Sequence, residues 1–151
     1  MNGKKGYKSL KKTLRNLKVI GLDTNLFIYY FEGHSRFGPF TKEVFNALAA
    51  NDIRAVTSIL SITETLSKKS LPDKVAYEIQ KSLFEIPNLK IVDVDRIIAA
   101  EAARVRRKYG FRLPDSIQLA TALSAKAKAF ITNDDRLKKF KELKIILLKS
   151  I

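Results

Sequence analysis

The chain of 151 residues contains no cysteine, which excludes disulfide bonds, thiolate metal sites and a cysteine nucleophile. It has a single histidine, His34, so mechanisms that need a pair of histidines are excluded as well. No apolar run approaches the roughly 20 residues of a membrane-spanning helix, and no secretory type of apolar segment follows the basic N-terminus. These absences predict a soluble protein of the cytoplasm without a membrane role.

Negative charge is scarce, since 15 Asp and Glu stand against 29 Lys and Arg and give a net charge of +14. Such a balance favours polyanions as partners, because cations that neutralise phosphates release condensed counterions. The excess is concentrated in residues 1–18, which hold seven cations and no acid. These cations are Lys4, Lys5, Lys8, Lys11, Lys12, Arg15 and Lys18. We interpret this basic arm either as a solvated, partly disordered tail or as a segment that contacts RNA.

After the arm, short apolar runs alternate with longer amphipathic segments. Strands are predicted at 19–22, 54–58, 89–94, 129–132 and 145–148. Helices are predicted at about 38–51, 60–70, 72–85, 95–109 and 114–127, with a short one near 135–141. Continuous apolar strands that alternate with helices favour a mostly parallel sheet covered on both faces. The expected fold is a three-layer α/β/α sandwich with four to five strands, formed by residues 19–151 as one domain.

Three acidic residues follow predicted strands, and a fourth lies in the first turn of a predicted helix. Asp23 follows the first strand directly, Glu64 lies in the helix after the second, and Asp134 comes two residues after Thr132. Because ligands bind outside the carboxyl ends of strands in open parallel sheets, spacing brings Asp23 and Asp134 to one edge and favours Glu64 beside them. Asp115 joins them only if the helix after Pro114 begins near that edge, which spacing leaves open.

Each acid also has a structural alternative. Acids at helix starts cap exposed N–H groups and meet the positive end of the helix dipole, and Glu64 could simply face solvent. For Asp23 the functional interpretation is stronger, because a carboxylate buried beside an apolar strand is costly without a partner. A bound cation would supply that partner, and oxygen ligands suit Mg²⁺ or Mn²⁺. Such ions serve phosphoryl transfer by activating water and neutralising phosphate charge.

Four motifs containing these acids follow one another along the chain. They are Leu22-Asp23-Thr24-Asn25, Thr63-Glu64, Leu113-Pro114-Asp115-Ser116-Ile117-Gln118-Leu119-Ala120-Thr121-Ala122 and Ile131-Thr132-Asn133-Asp134. In this order the motifs resemble those of PIN-domain proteins, and the compact single-domain form resembles VapC-type toxins of toxin–antitoxin pairs. The resemblance runs from about Val19 to Leu148 and leaves only the basic arm outside.

The resemblance implies a central first strand and a Mg²⁺- or Mn²⁺-dependent endoribonuclease site. Its metal-site acids would be Asp23, Glu64 and Asp115, with Asp134 as the fourth. Side chains that orient acids or waters would be Thr132, Thr24 and Asn25, and Asp135 is an alternative to the adjacent Asp134. Members of the family commonly form homodimers, and an antitoxin typically holds VapC-like toxins inactive.

The leading hypothesis is therefore an endoribonuclease toxin that acts on structured RNA such as tRNA or rRNA. Its expected partners are the RNA, a second copy of the chain and an antitoxin. Two alternatives stay open. One is a PIN nuclease of RNA processing or turnover without an antitoxin, and the other is an RNA-binding module whose acids hold no productive metal.

Overall fold

The computed structural model describes the backbone of residues 2–151 and the side chains of residues 8–151. In that part of the chain, helices and strands follow one another as α1 Asn2–Arg15, β1 Val19–Leu22, α2 Thr24–Phe31, α3 Gly38–Ala49, β2 Arg54–Ser58, α4 Leu60–Leu66, α5 Asp73–Phe84, β3 Leu89–Val92, α6 Arg96–Tyr109, α7 Leu113–Ser124, β4 Ala129–Thr132 and β5 Lys144–Leu147. Short 3₁₀ helices cover Asp135–Lys139 and Leu148–Ser150.

The strands form one parallel sheet in the order β3-β2-β1-β4-β5. β1 is central, and its Ile20 lies beside Ala55 of β2 and Ala129 of β4. The predicted α/β fold and its central first strand are confirmed. Because the chain proceeds from β1 to β2 on one side and returns to β4 on the other, the strand order reverses at β1. In open α/β sheets, ligands bind at the carboxyl edge of such a reversal.

Side chains alternate across the central strands and build a core on each face of the sheet. Ile20 of β1 and Ile131 of β4 belong to one core, together with Leu48 of α3. Phe130 of β4 belongs to the other, together with Leu119 of α7. Burial on both faces explains why these strands are apolar throughout instead of alternating with polar residues.

Gly21 in β1 allows α7 to lie very close to the sheet. A Cβ at this position would come within 2.6 Å of the Phe130 ring and 2.7 Å of the Ala122 Cβ. A larger residue would therefore push α7 away from β1. Since α7 carries Asp115 in its first turn, this close packing also sets the position of that acid.

The basic arm is helical and takes part in the core. Leu10 and Leu14 of α1 are 1% and 2% exposed, and they belong to the same core as Val44 and Leu48 of α3. The interpretation of the arm as a solvated tail is thus wrong for residues 8–15. Two leucines one turn apart suffice because α3 offers them an apolar face, which the sequence of the arm does not reveal.

The cations of α1 whose side chains are described lie on its solvent-facing side. Lys8, Lys11, Lys12 and Arg15 are exposed, whereas the side chains of Lys4 and Lys5 lie outside the described residues. Among the described helices, α1 included, none has the length and apolarity needed to cross a bilayer.

The other differences from the predicted elements concern α2 and helix ends. α2 was not predicted, because Leu26–Phe31 is aromatic and apolar without a helical period; it forms where Asp23 caps its N-terminus. α4 ends at Leu66 rather than near residue 70, and α7 ends at Ser124 rather than near residue 127.

Candidate active site

Asp23 directly follows β1 and caps α2, at the carboxyl edge of the sheet. Its Oδ1 accepts a hydrogen bond from the Thr24 backbone N–H at 2.8 Å. Its Oδ2 accepts hydrogen bonds from Thr132 Oγ1 at 2.5 Å and from Asn25 Nδ2 at 3.2 Å. With Asp23 only 8% exposed, its carboxylate is held in a single orientation by neutral donors.

The surroundings of Asp23 disfavour its ionised form. Burial is the largest cause and raises the pKa of Asp23 to about 6, although hydrogen bonds from Thr132 and Thr24 act to lower it. The negative charges of Asp115 and Glu64 raise this pKa further, so both acids lie close enough to repel Asp23. Within the described residues, Asp23 forms no ion pair with a Lys or Arg. An external cation would relieve both the burial cost and the repulsion.

Glu64 reaches this edge from α4, which follows β2. Its Oε1 accepts a hydrogen bond from Thr24 Oγ1 at 2.9 Å, and its side chain is exposed. Thr24 therefore binds Asp23 through its backbone N–H and Glu64 through its hydroxyl. This residue sets the spacing between the two acids.

Buried neutral side chains beneath the acids form a network that sequence reasoning missed. Gln118 of α7 donates from Nε2 to Ser61 Oγ at 2.7 Å and to Thr24 Oγ1 at 3.2 Å. Its Oε1 accepts from the Ser58 backbone N–H at 3.0 Å. Thr57 Oγ1 lies 2.6 Å from Ser61 Oγ, so the network joins α7, β2, α4 and α2. It fixes the helices that carry the acids.

The sequence contained a signal for this network. Gln118 lies between Ile117 and Leu119, one turn after Asp115, and is a large amide on the buried side of a helix. Buried polar groups need hydrogen-bond partners, so such a residue indicates a polar network in the core.

Asp115 reaches the same edge because α7 begins there. The residue is 8% exposed, and Arg112 Nε donates to its Oδ2 at 2.9 Å. Nη2 of Arg136 lies 3.7 Å from the same oxygen. Unlike Asp23, this acid is therefore neutralised by cations of the chain itself, and sequence reasoning missed both arginines.

Asp134 and Asp135 are adjacent but have different partners. Asp134 caps the short 3₁₀ helix, and its carboxylate pairs with the guanidinium of Arg136, which lowers the pKa of Asp134. The same guanidinium contacts Asp115, so Asp134 is connected to the other acids. Asp135 pairs instead with Lys138 and Lys149. Arg136 thus links Asp134 to Asp115, whereas Asp135 pairs with lysines, and which of the two is the fourth metal-site acid stays a prediction.

The oxygen atoms around Asp23 fit a hydrated divalent ion rather than a complete cage of protein ligands. In the described residues, no three Asp, Glu, His or Cys side chains form a group that could hold a metal ion. The buried Oδ1 of Asn25, next to Asp23, has no hydrogen-bond partner in that part of the chain. Mg²⁺ usually takes one or two carboxylates and completes its shell with waters and substrate phosphates. Asp23 with Glu64 or Asp115 meets that requirement.

A sequence model of the PIN domain matches residues 20–143. The chain belongs to the PIN domain family. This match confirms the family resemblance that the four motifs indicated. A comparison with curated protein sequences gave no match.

Solved toxin–antitoxin complexes contain chains with the fold of this PIN domain. A chain of VapBC2 from Rickettsia felis, bound to a DNA fragment of its promoter, has a TM-score of 0.65 at 18% identity, covering 85% of this chain and 98% of that one. A toxin–antitoxin complex from Klebsiella pneumoniae has a TM-score of 0.63 at 22% identity, over 87% of this chain and 97% of that one. A chain of DNA-bound VapBC from Salmonella typhimurium has a TM-score of 0.63 at 22% identity, covering 87% of this chain and 98% of that one. At these identities the likeness establishes the fold.

The predicted site residues of this PIN domain mostly gather at the carboxyl edge of the sheet. Three acids interact electrostatically there, namely Asp23, Glu64 and Asp115. Of the residues predicted to orient them, Asn25 and Thr132 contact Asp23 through their side chains and Thr24 through its backbone N–H. Their roles in metal binding and catalysis stay predictions.

Proposed function

We propose that this PIN domain is a divalent-metal-dependent endoribonuclease and the toxin of a VapBC-type pair. The proposal depends above all on Asp23, a buried carboxylate that is held by neutral donors and repelled by two neighbouring acids. Membership of the PIN family supports the nuclease activity. The shared fold with chains of VapBC complexes supports the antitoxin partner. A homodimer belongs to the proposal through the family resemblance.

Mg²⁺ or Mn²⁺, held by Asp23 together with Glu64 or Asp115, would activate water and offset phosphate charge. The chain prepares this site by fixing its acids. Thr132 and Thr24 each hold one oxygen of Asp23. Thr24 also holds Oε1 of Glu64. If the ion binds Asp23 and Asp115, the exposed carboxylate of Glu64 would be free to take a proton from the attacking water.

RNA is the proposed substrate because the chain surrounds an acidic centre with cations. The net charge of +14 favours phosphate backbones, and structured RNA such as tRNA or rRNA is the expected target. We extend the proposal to the basic arm, whose cations Lys8, Lys11, Lys12 and Arg15 are exposed on α1. Lys4 and Lys5 belong to the same proposed RNA-binding set.

The nuclease activity is tested by incubating metal-free protein with tRNA and rRNA in Mn²⁺, Mg²⁺ or EDTA. We expect cleavage only with a divalent ion. Asp23→Asn should slow it on the order of 1000-fold, since several kcal/mol of transition-state stabilisation depend on the metal. Glu142→Gln is the matched control, because it changes to an amide an acid that Arg104 and Lys108 already neutralise, and it should cleave normally. Full cleavage by Asp23→Asn would refute the proposed site.

The toxin assignment needs a separate experiment. Expression of the chain in a bacterial host should arrest growth, and co-expression of a small protein encoded beside its gene should relieve the arrest. Cleavage without growth arrest would identify a PIN nuclease of RNA processing instead. RNA binding without cleavage would identify a non-catalytic module.

A further inference from the structure

We propose that Arg112 and Arg136, together with Lys139, bind a phosphate of the RNA beside the acidic centre. In the absence of RNA, the two arginines pair with acids of the site, and RNA binding exchanges those acids for phosphate oxygens. This inference rests on the proposed function, because it assigns groups that hold the substrate of that same site.

The three cations line one cavity. It has a volume of about 120 Å³, lies next to Asp115, and includes Arg112, Arg136 and Lys139 in its wall. Asp115 raises the pKa of Arg112, whereas the positive charge of Arg136 acts to lower it, so the two guanidinium groups are near enough to repel each other. Like charges held around a small polar cavity favour an anion as its occupant.

The two arginines extend from a buried acid into solvent. The side chain of Asp115 is 10% exposed, whereas those of Arg112 and Arg136 are 63% and 54% exposed. Arg112 uses Nε and Nη2 on Asp115, at 2.9 Å and 3.4 Å, and no hydrogen bond of its Nη1 is found within the described residues. A guanidinium has five N–H donors, so donors remain that match the paired oxygens of a phosphate.

A purely structural role for these ion pairs is weaker. The cation of each pair is largely exposed, so solvent screens its charge, and a long side chain loses entropy when it is held in the pair. Arg104 provides a contrast to Arg112, since it binds two acids, Glu101 and Glu142, through several hydrogen bonds. Arg136 also binds the carboxylate of Asp134 through Nε and Nη2, so phosphate must compete with Asp134 as well as Asp115 for this guanidinium. A cation bound at the acidic centre would also take over the neutralisation of Asp115 and leave both guanidinium groups to the phosphate.

The experiment measures binding without cleavage. A short fluorescein-labelled single-stranded RNA is titrated in EDTA at several salt concentrations, and its anisotropy gives the affinity. Arg112→Gln and Arg136→Gln should each lower the affinity and reduce the slope of log K against log salt by about 0.7. The matched control is Arg54→Gln, which removes an exposed arginine at the opposite end of β2 and should change the slope less.

A second pair of variants separates phosphate binding from neutralisation of Asp115. If Arg112 only neutralises this acid, Arg112→Gln should have no effect in an Asp115→Asn background. We expect instead that Asp115→Asn alone binds RNA more tightly than wild type, and that adding Arg112→Gln again reduces affinity and slope. Arg112→Lys, which keeps the charge but loses the fork, should lower the affinity while retaining the slope.

Thermal unfolding confirms that each variant is folded. The inference would be overturned if Arg112→Gln and Arg136→Gln gave the same salt slope as Arg54→Gln. It would also be overturned if Arg112→Gln changed neither affinity nor slope in the Asp115→Asn background. No divalent ion is present, so these outcomes are independent of the metal-dependent cleavage that tests the proposed function.

Discussion

Carboxylates occur in two contrasting settings in this PIN domain, at the sheet edge around Asp23 and in the segment before β5 around Glu142, which contacts α6. Glu142 is bound by Arg104, Lys108 and the hydroxyl of Tyr109. These partners, Arg104 above all, lower its pKa to about 2. Asp23 receives hydrogen bonds only from neutral groups, and burial raises its pKa to about 6.

The contrast shows that the chain neutralises one carboxylate with its own cations and only orients the other with neutral donors. Where the chain supplies its own cations, the carboxylate is satisfied and links α6 to the segment before β5. Where it supplies only neutral donors, the charge is oriented but not neutralised, which leaves room for an external cation. Asp115 stands between the two cases, because its arginine partners are largely exposed.

The largest expected effect concerns the hydroxyl groups that bind these two carboxylates. Thr132→Val removes the 2.5 Å hydrogen bond to Asp23 and should weaken Mn²⁺ binding by about 10–100-fold, as loss of a ligand-orienting group does. Isothermal titration calorimetry measures the affinity. Tyr109→Phe, which removes the hydroxyl bound to Glu142, should leave it unchanged, and Thr132→Ser should preserve it. If Thr132→Val bound Mn²⁺ as tightly as wild type, the hydroxyl on Asp23 would matter no more for metal binding than the hydroxyl on Glu142.

Replacing each acid by its amide should change stability in opposite directions. Raising the pKa of Asp23 from 3.8 to about 6 makes its ionised form about 3 kcal/mol less favourable. In Asp23→Asn this cost disappears, but the loss of one hydrogen-bond acceptor offsets about 1 kcal/mol of the gain. Asp23→Asn should therefore stabilise the metal-free protein by about 1–2 kcal/mol at pH 7.5, and Glu142→Gln should destabilise it by about 1 kcal/mol. Urea denaturation measures the unfolding free energy of both variants. A change of the same sign in the two would contradict the contrast between the sites.

The pH dependence should also differ in sign. Since the folded-state pKa of Asp23 is raised, its contribution to stability is present below about pH 4 and is lost as the pH rises through about 6. The pKa of Glu142 is lowered, so its contribution is present above about pH 4.5 and is lost as the pH falls towards 2. Unfolding free energies of metal-free wild type and both variants from pH 3 to 8 check this. A wild type that parallels Asp23→Asn between pH 4 and 7 would show that Asp23 does not titrate there.

The smallest effect is the response to salt. High salt screens exposed pairs, so 1 M NaCl should reduce the destabilisation by Glu142→Gln to less than about 0.5 kcal/mol. The effect of Asp23→Asn should change little, because its carboxylate is buried. Urea denaturation at low and high salt measures the change in unfolding free energy that each substitution causes. If salt reduced both changes equally, the two sites would not differ in their exposure to solvent screening.

Local features of the chain predicted the sheet well. Each strand is a short apolar run, and acids or hydroxyls stand where β1, β2 and β4 end, so the carboxyl edge around Asp23 was visible in the sequence. α2 was not, because its aromatic residues carry no helical period and only the cap by Asp23 defines its start. α1 was underestimated because Leu10 and Leu14 are buried by α3, a distant segment.

The sequence by itself determined which strands form, that the protein is strongly basic, and that Asp23 stands at the end of a buried strand. These properties depend on residue type and on neighbours along the chain. Tertiary structure alone decided that Asp115 lies near Asp23. It also decided that Arg112 and Arg136 neutralise Asp115, and that Arg136 links Asp134 rather than Asp135 to that acid. The physical reason is distance along the chain: Thr132, which orients Asp23, lies 109 residues from it, and only the packing of β4 against β1 brings the two together.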